Sequence, residues 1–119
     1  RDLEIGPMRG PLFESGVAAE FVKRRCHLGI SPELYHWRDS SGVEIDLLIE
    51  RAESLFPVEA KAGRTIAADW LRPIERYLEW SGAVRGALVY GGEGSQQRGR
   101  VAVVGWREID TALEQALPQ

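Results

Sequence analysis

Apolar residues first recur at helical spacing: Phe13, Val17, Ala18, Phe21 and Val22 line one face. Pro11 suits the first helical position, and Leu28-Gly29 reads as the stop. The period then changes to two. Residues 33–38 (ELYHWR) read as a strand, 39–42 (DSSG) as a turn and 43–50 as a second strand. In that second strand Val43, Ile45, Leu47 and Ile49 alternate strictly with Glu44, Asp46, Leu48 and Glu50. Residues 51–54 form a hairpin loop and 55–62 a third strand. A stripe of Trp70, Leu71, Ile74, Tyr77 and Leu78 predicts an amphipathic helix over 66–80, with Thr65 as N-cap and Gly82 as stop. Pro73 should kink or divide it. Residues 83–90 and 100–104 read as two buried strands. Between them the Gly- and Gln-rich stretch 91–99 is expected to be a mobile loop, and 106–117 to be a closing helix.

The order α-β-β-β-α-β-β-α implies an α/β fold with a mixed sheet flanked by helices. A chain of 119 residues suits one domain spanning 1–119, with a radius of gyration of about 13–14 Å. The single Cys26 excludes an internal disulfide framework and fits a cytoplasmic home. No apolar run approaches the roughly 20 residues of a membrane span, so no membrane partner is expected. The chain opens on Arg1, and is therefore expected to be part of a larger protein. Its formal charge is -3, which excludes a generic basic nucleic-acid binder. Of the 15 basic residues only Lys23 and Lys61 are lysines.

Lys61 sits where the chemistry concentrates. Glu59 and Lys61 are two apart on a strand and share a face. A four-residue hairpin loop sets Glu50 against Leu55, and that register sets Asp46 against Glu59 and Glu44 against Lys61. Opposed carboxylates, with Cβ atoms about 4.5–5.5 Å apart, repel unless a cation lies between them. All-oxygen ligands suit Mg²⁺ or Mn²⁺. On the first helix Glu14 falls within the apolar arc, which turns a third carboxylate toward the sheet and makes its burial costly unless it is paired or metal-bound. A cation held by Asp46 and Glu59 would activate water at a phosphodiester, and the compact Lys61 ammonium would steady the transition state.

The spacing D-(x12)-E-A-K, behind a helix bearing L-F-E-S, resembles the PD-(D/E)XK nuclease superfamily. More narrowly, G-P-L-F-E-S, Y-H-W-R, G-V-E-I-D-L-L-I and P-V-E-A-K resemble a C-terminal domain that follows an AAA+-type ATPase in many prokaryotic proteins. The likeness runs from about Gly10 to about Tyr90. It implies a restriction-endonuclease-like core, DNA as substrate, an ATPase region upstream and an oligomer as one possible assembly. By the same likeness Asp46, Glu59 and Lys61 are catalytic, and Glu14 joins Asp46 and Glu59 as a metal ligand. The pattern departs in two places: Ile45 rather than Pro precedes Asp46, and Pro73 stands where exonuclease relatives carry Gln four residues before Tyr77.

Each signal has a plainer reading. Lys61 and Glu44 alone would make an ordinary cross-strand ion pair. A catalytically inactive module that regulates or oligomerises the ATPase is the alternative to a nuclease. An expected β1–β2 register with Tyr35 against Asp46 turns His36 away from the site. Lys23, Arg24, Arg25 and His27 suit a helix C-terminus. Arg64, at the mouth of the second helix, is the candidate phosphate contact.

Overall fold

The computed structural model describes residues 9–51 and 54–116; the side chains of residues 9–11 and of Asp46 lie outside the described set. The expected features at Ala52-Glu53 and at Leu117 also lie outside it. Helix α1 (Arg9–His27) leads into strands β1 (Leu34–Arg38), β2 (Glu44–Arg51) and β3 (Ser54–Lys61). A short 3₁₀ turn (Ala68–Leu71) precedes α2 (Arg72–Ser81), followed by β4 (Gly86–Tyr90), β5 (Gln96–Arg98) and β6 (Val101–Gly105). A second 3₁₀ turn (Trp106–Glu108) opens α3 (Ile109–Gln115).

The six strands form one mixed sheet in the order β1-β2-β3-β4-β6-β5. The first three make an antiparallel meander, β3, β4 and β6 run parallel, and β5 closes the edge antiparallel to β6. Both faces are covered. Phe13, Val17 and Phe21 of α1 and Ile109, Ala112 and Leu113 of α3 pack on Leu47, Ile49, Val58 and Val89. On the opposite face Ile74, Tyr77 and Leu78 of α2 pack on Ile45, Leu48, Leu88 and Val103. The Cα radius of gyration is 13.4 Å. Among the described residues, no helix is long and apolar enough to cross a membrane.

The β2–β3 register is the expected one, with Leu47 against Val58, Glu50 against Leu55 and Arg51 against Ser54. Pairing of Arg51 with Ser54 makes the connection tighter than a four-residue loop. The strict alternation of β2 does not hold. Leu47 and Ile49 face α1, whereas Ile45 and Leu48 face α2. Between the pairs Tyr35↔Leu48 and Trp37↔Ile45, β1 advances two residues and β2 three, so β2 carries a bulge. Tyr35 therefore pairs with Leu48 and not with Asp46, a correction that follows from the extra residue.

Other boundaries shift for local reasons. α1 begins two residues before Pro11. Thr65 is no cap: Ala67 precedes the 3₁₀ turn without a side-chain bond, and Pro73 restricts the α-helix proper to the residues from Arg72 onward. Gly82, at φ 76°, ends α2 as expected. The stretch 91–99 is not simply a loop, because Gln96–Arg98 pairs as β5 with Val101–Val103. Three exposed polar residues carry no alternating signal, which is why the strand escapes a sequence reading.

The basic end of α1 is structural. Arg25 is 3 % exposed. Its guanidinium donates to the carbonyl oxygens of Ser31 and, at 2.9 Å, of Glu50, tying the helix end to β2. Arg24 pairs with Asp110 of α3 at 3.1 Å and Lys23 with Glu20 at 3.4 Å. In the β1–β2 turn, Asp39 accepts bonds from the Ser41 hydroxyl (2.7 Å), the Ser41 amide (2.9 Å) and the Val43 amide (3.0 Å). Arg76 of α2 lies 3.0 Å from its other oxygen.

Candidate metal centre

Three of the expected site residues meet at one cavity. A space of about 150 Å³ between α1 and the sheet is lined by Glu14 and Ala18 from α1, Leu47 from β2, and Val58, Glu59, Ala60 and Lys61 from β3. The pattern of β3 explains its walls: Phe56 and Val58 pack into the α1-side core, while the strand's last residues emerge beyond it. Glu14 sits one residue past Phe13, which is fully buried and anchors the helix on the sheet. Glu14 is itself exposed. It meets the cavity from the rim, so the desolvation cost expected from its place on the helical wheel does not arise.

Glu59 and Lys61 share the site as a pair. Lys61 Nζ lies 4.0 Å from Glu59 Oε2, with side chains 38 % and 12 % exposed. The same two residues also line a concavity on the α2 side, together with Glu44, Asp69, Trp70 and Arg72. The end of β3 thus opens toward both faces of the sheet. Glu44 does not pair with Lys61; its carboxylate is held by Arg38 at 2.8 Å.

Asp46 lies in the bulged stretch of β2, one residue before Leu47. Carried one step beyond Leu47↔Val58, the β2–β3 register sets Asp46 level with Glu59. Its side chain is outside the described residues. Among the described residues there is no group of three or more His, Cys, Asp or Glu side chains spaced for a metal ion. The donor set nonetheless suits a hard divalent cation: Glu14 and Glu59 offer carboxylate oxygens beside a space several times the roughly 30 Å³ share of one water.

Arg64 lies elsewhere. It lines a separate concavity with Gly91, Gly92, Glu93, Trp106 and Arg107, at the far ends of β4 and β6. Sequence reasoning missed Trp106 and Arg107 there, because only the parallel pairing of β4 with β6 brings residue 105 beside residue 90. His36 and His27 are exposed and line neither cavity that contains Lys61.

A mixed sheet covered by helices on both faces, with carboxylates and one lysine gathered where α1 crosses the middle strands, defines an α/β domain with a polar crevice. Over residues 9–109 the sequence matches the family described as Domain of unknown function (DUF4143). The chain belongs to that family. A search of the curated proteins finds no match, and neither does a search of the solved structures.

Proposed function

We propose that the chain is a metal-dependent nuclease domain of the PD-(D/E)XK type that hydrolyses DNA phosphodiesters and works beside an AAA+-type ATPase. The observation that carries this reading is the meeting of Glu14, Glu59 and Lys61 at one cavity, with Asp46 on the adjoining strand. The meander, crossover helix and parallel strand are compatible with a restriction-endonuclease-like core. Asp46, Glu59 and Glu14 would hold Mg²⁺ or Mn²⁺. When bound, such an ion supplies Lewis-acid charge at the phosphoryl oxygens.

The chain's own residues then divide the work. Lys61 places a compact cation next to the reacting phosphate, where charge accumulates in the transition state. Glu59 holds the ammonium in that place from 4.0 Å away. Val58 and Leu47 form the apolar wall that limits water. The test is plasmid cleavage with Mg²⁺ or Mn²⁺, beside Lys61→Ala and a chelator control. Cleavage that ignores both the substitution and the chelator would overturn the proposal.

One observation favours a second reading, an inactive module that regulates or oligomerises the ATPase. Lys61 and Glu59 already compensate each other's charge, and such a pair is stable without a metal. Absence of any metal-dependent stabilisation would select that reading.

A further inference from the structure

The concavity at the carboxyl ends of β4 and β6 has a volume of about 300 Å³, and Arg64, Glu93 and Arg107 are the charged residues that line it. Its floor is backbone drawn together at glycines. The Gly91 amide donates to the carbonyl oxygens of both Lys61 and Gly63, at 3.0 Å each. A Cβ on Gly91 would overlap the Ala62 carbonyl, and one on Gly92 would meet that of Arg64 at 2.5 Å. The segment leaving β3 and the loop leaving β4 are therefore fixed to each other. Arg64 is held in a set relation to Lys61.

Arg107 is poised differently. Its guanidinium carbon lies 5.0 Å from the centroid of the Trp106 ring, which seats the cation over the half-buried indole. Its acidic partner Glu93 stands 3.5 Å away, and the two side chains are 67 % and 79 % exposed. A pair so exposed contributes little. Phosphate oxygens, which take two parallel bonds from a guanidinium, would displace it. Parallel strands commonly bind ligands in the crevice beyond their carboxyl ends, and this concavity lies there.

We infer that this concavity grips a backbone phosphate of a DNA strand between Arg64 and Arg107, with Trp106 positioning Arg107. The inference deepens the proposed function and rests on it for the nature of the ligand. Arg64 lies three positions beyond Lys61, at most about 11 Å of chain. A strand with one phosphate per ~3.4 Å of axis spans that reach within about three phosphates. One strand can thus be held here while a nearby phosphate lies beside Lys61.

The test is anisotropy of a fluorescein-labelled single-stranded oligonucleotide with the whole chain in EDTA, titrated between about 50 and 200 mM salt. The Arg64→Ala/Arg107→Ala double variant should bind at least ~10-fold more weakly, with a salt slope shallower by about 0.7 for the one phosphate no longer held. Trp106→Ala should weaken binding, and Trp106→Phe should restore most of it while preserving the packing. Inorganic phosphate and a mononucleotide should compete poorly. Unchanged affinity and slope in the double variant would overturn the inference, as would equal competition by inorganic phosphate, which marks an isolated anion site. EDTA separates the two proposals. A chain that binds as described yet cuts nothing with Mn²⁺ keeps this site and loses the nuclease; one that cuts while ignoring Arg64 and Arg107 does the reverse.

Discussion

Lys61 Nζ and Glu59 Oε2 stand 4.0 Å apart at the end of β3, facing a cavity that Glu14 enters from α1. Removal of the ammonium leaves the carboxylates without their cation. In Lys61→Ala, cleavage of plasmid DNA should fall at least ~100-fold, the scale on which loss of one charge stabiliser is felt. The check is a gel assay at saturating Mn²⁺, with the urea midpoint confirming that the fold is kept.

Metal binding should also appear as stability. With Mn²⁺ at 100 times its dissociation constant, mass action adds about 2.7 kcal/mol to unfolding. Asp46→Asn should remove most of that gain. Thermal melts with and without Mn²⁺ decide it: equal shifts in both proteins would exclude Asp46 as a ligand.

Arg25 gives a prediction independent of any activity. It is buried and donates to the backbone carbonyls of Ser31 and Glu50. Replacement by Ala strips two charge-assisted bonds and the packing of a buried side chain, a cost of about 2–4 kcal/mol. Arg24→Ala, which breaks only a partly exposed pair with Asp110, should cost under ~1 kcal/mol. Urea titrations of the two variants should differ accordingly.

The β1–β2 turn should respond to acid. The Ser41 hydroxyl, with the Val43 and Ser41 amides and Arg76, holds the Asp39 carboxyl below its usual range, against a smaller opposing effect of burial. A lowered folded value means stabilisation that is complete above the ordinary aspartate range and lost as pH falls through the folded value. Wild type should therefore lose its advantage over Asp39→Asn as pH drops below about 4. Urea midpoints of the two proteins across that window measure it.

Gly91 is the packing point between the site and β4. Gly91→Ala puts a methyl group against the Ala62 carbonyl, where only backbone movement makes room. The expected cost is about 1–3 kcal/mol. The movement passes directly to Lys61, whose carbonyl Gly91 binds at 3.0 Å. Cleavage should drop more than stability alone explains, and parallel melts and cleavage assays read the two effects apart.

The hairpin register was readable from residues 43–61 because β2 and β3 are joined by a short turn and carry enough apolar residues to phase them. The gathering of Glu14, Glu59 and Lys61 followed from that register and from the helical period of α1. The bulge was not readable. β2 is covered on both faces, so I-D-L-L-I satisfies two phases at once, and only Leu48, an apolar residue on the nominally polar face, hinted at the shift. Trp106 and Arg107 were hidden for another reason: their place beside Arg64 depends on two successive parallel pairings, β3 with β4 and β4 with β6, which no local period encodes.

The pairing of β3 with β4 gives the protein an order of completion. Lys61 is the last residue of β3, and its neighbour across the sheet is Tyr90, supplied by a strand synthesised after the crossover helix. A nascent chain that has emerged only as far as Ser81 already contains Glu14, Asp46, Glu59 and Lys61. Its β3 edge is still open, and Gly91 has yet to fasten the Lys61 carbonyl. The Lys61 end of β3 therefore receives its last neighbours only from the second half of the chain.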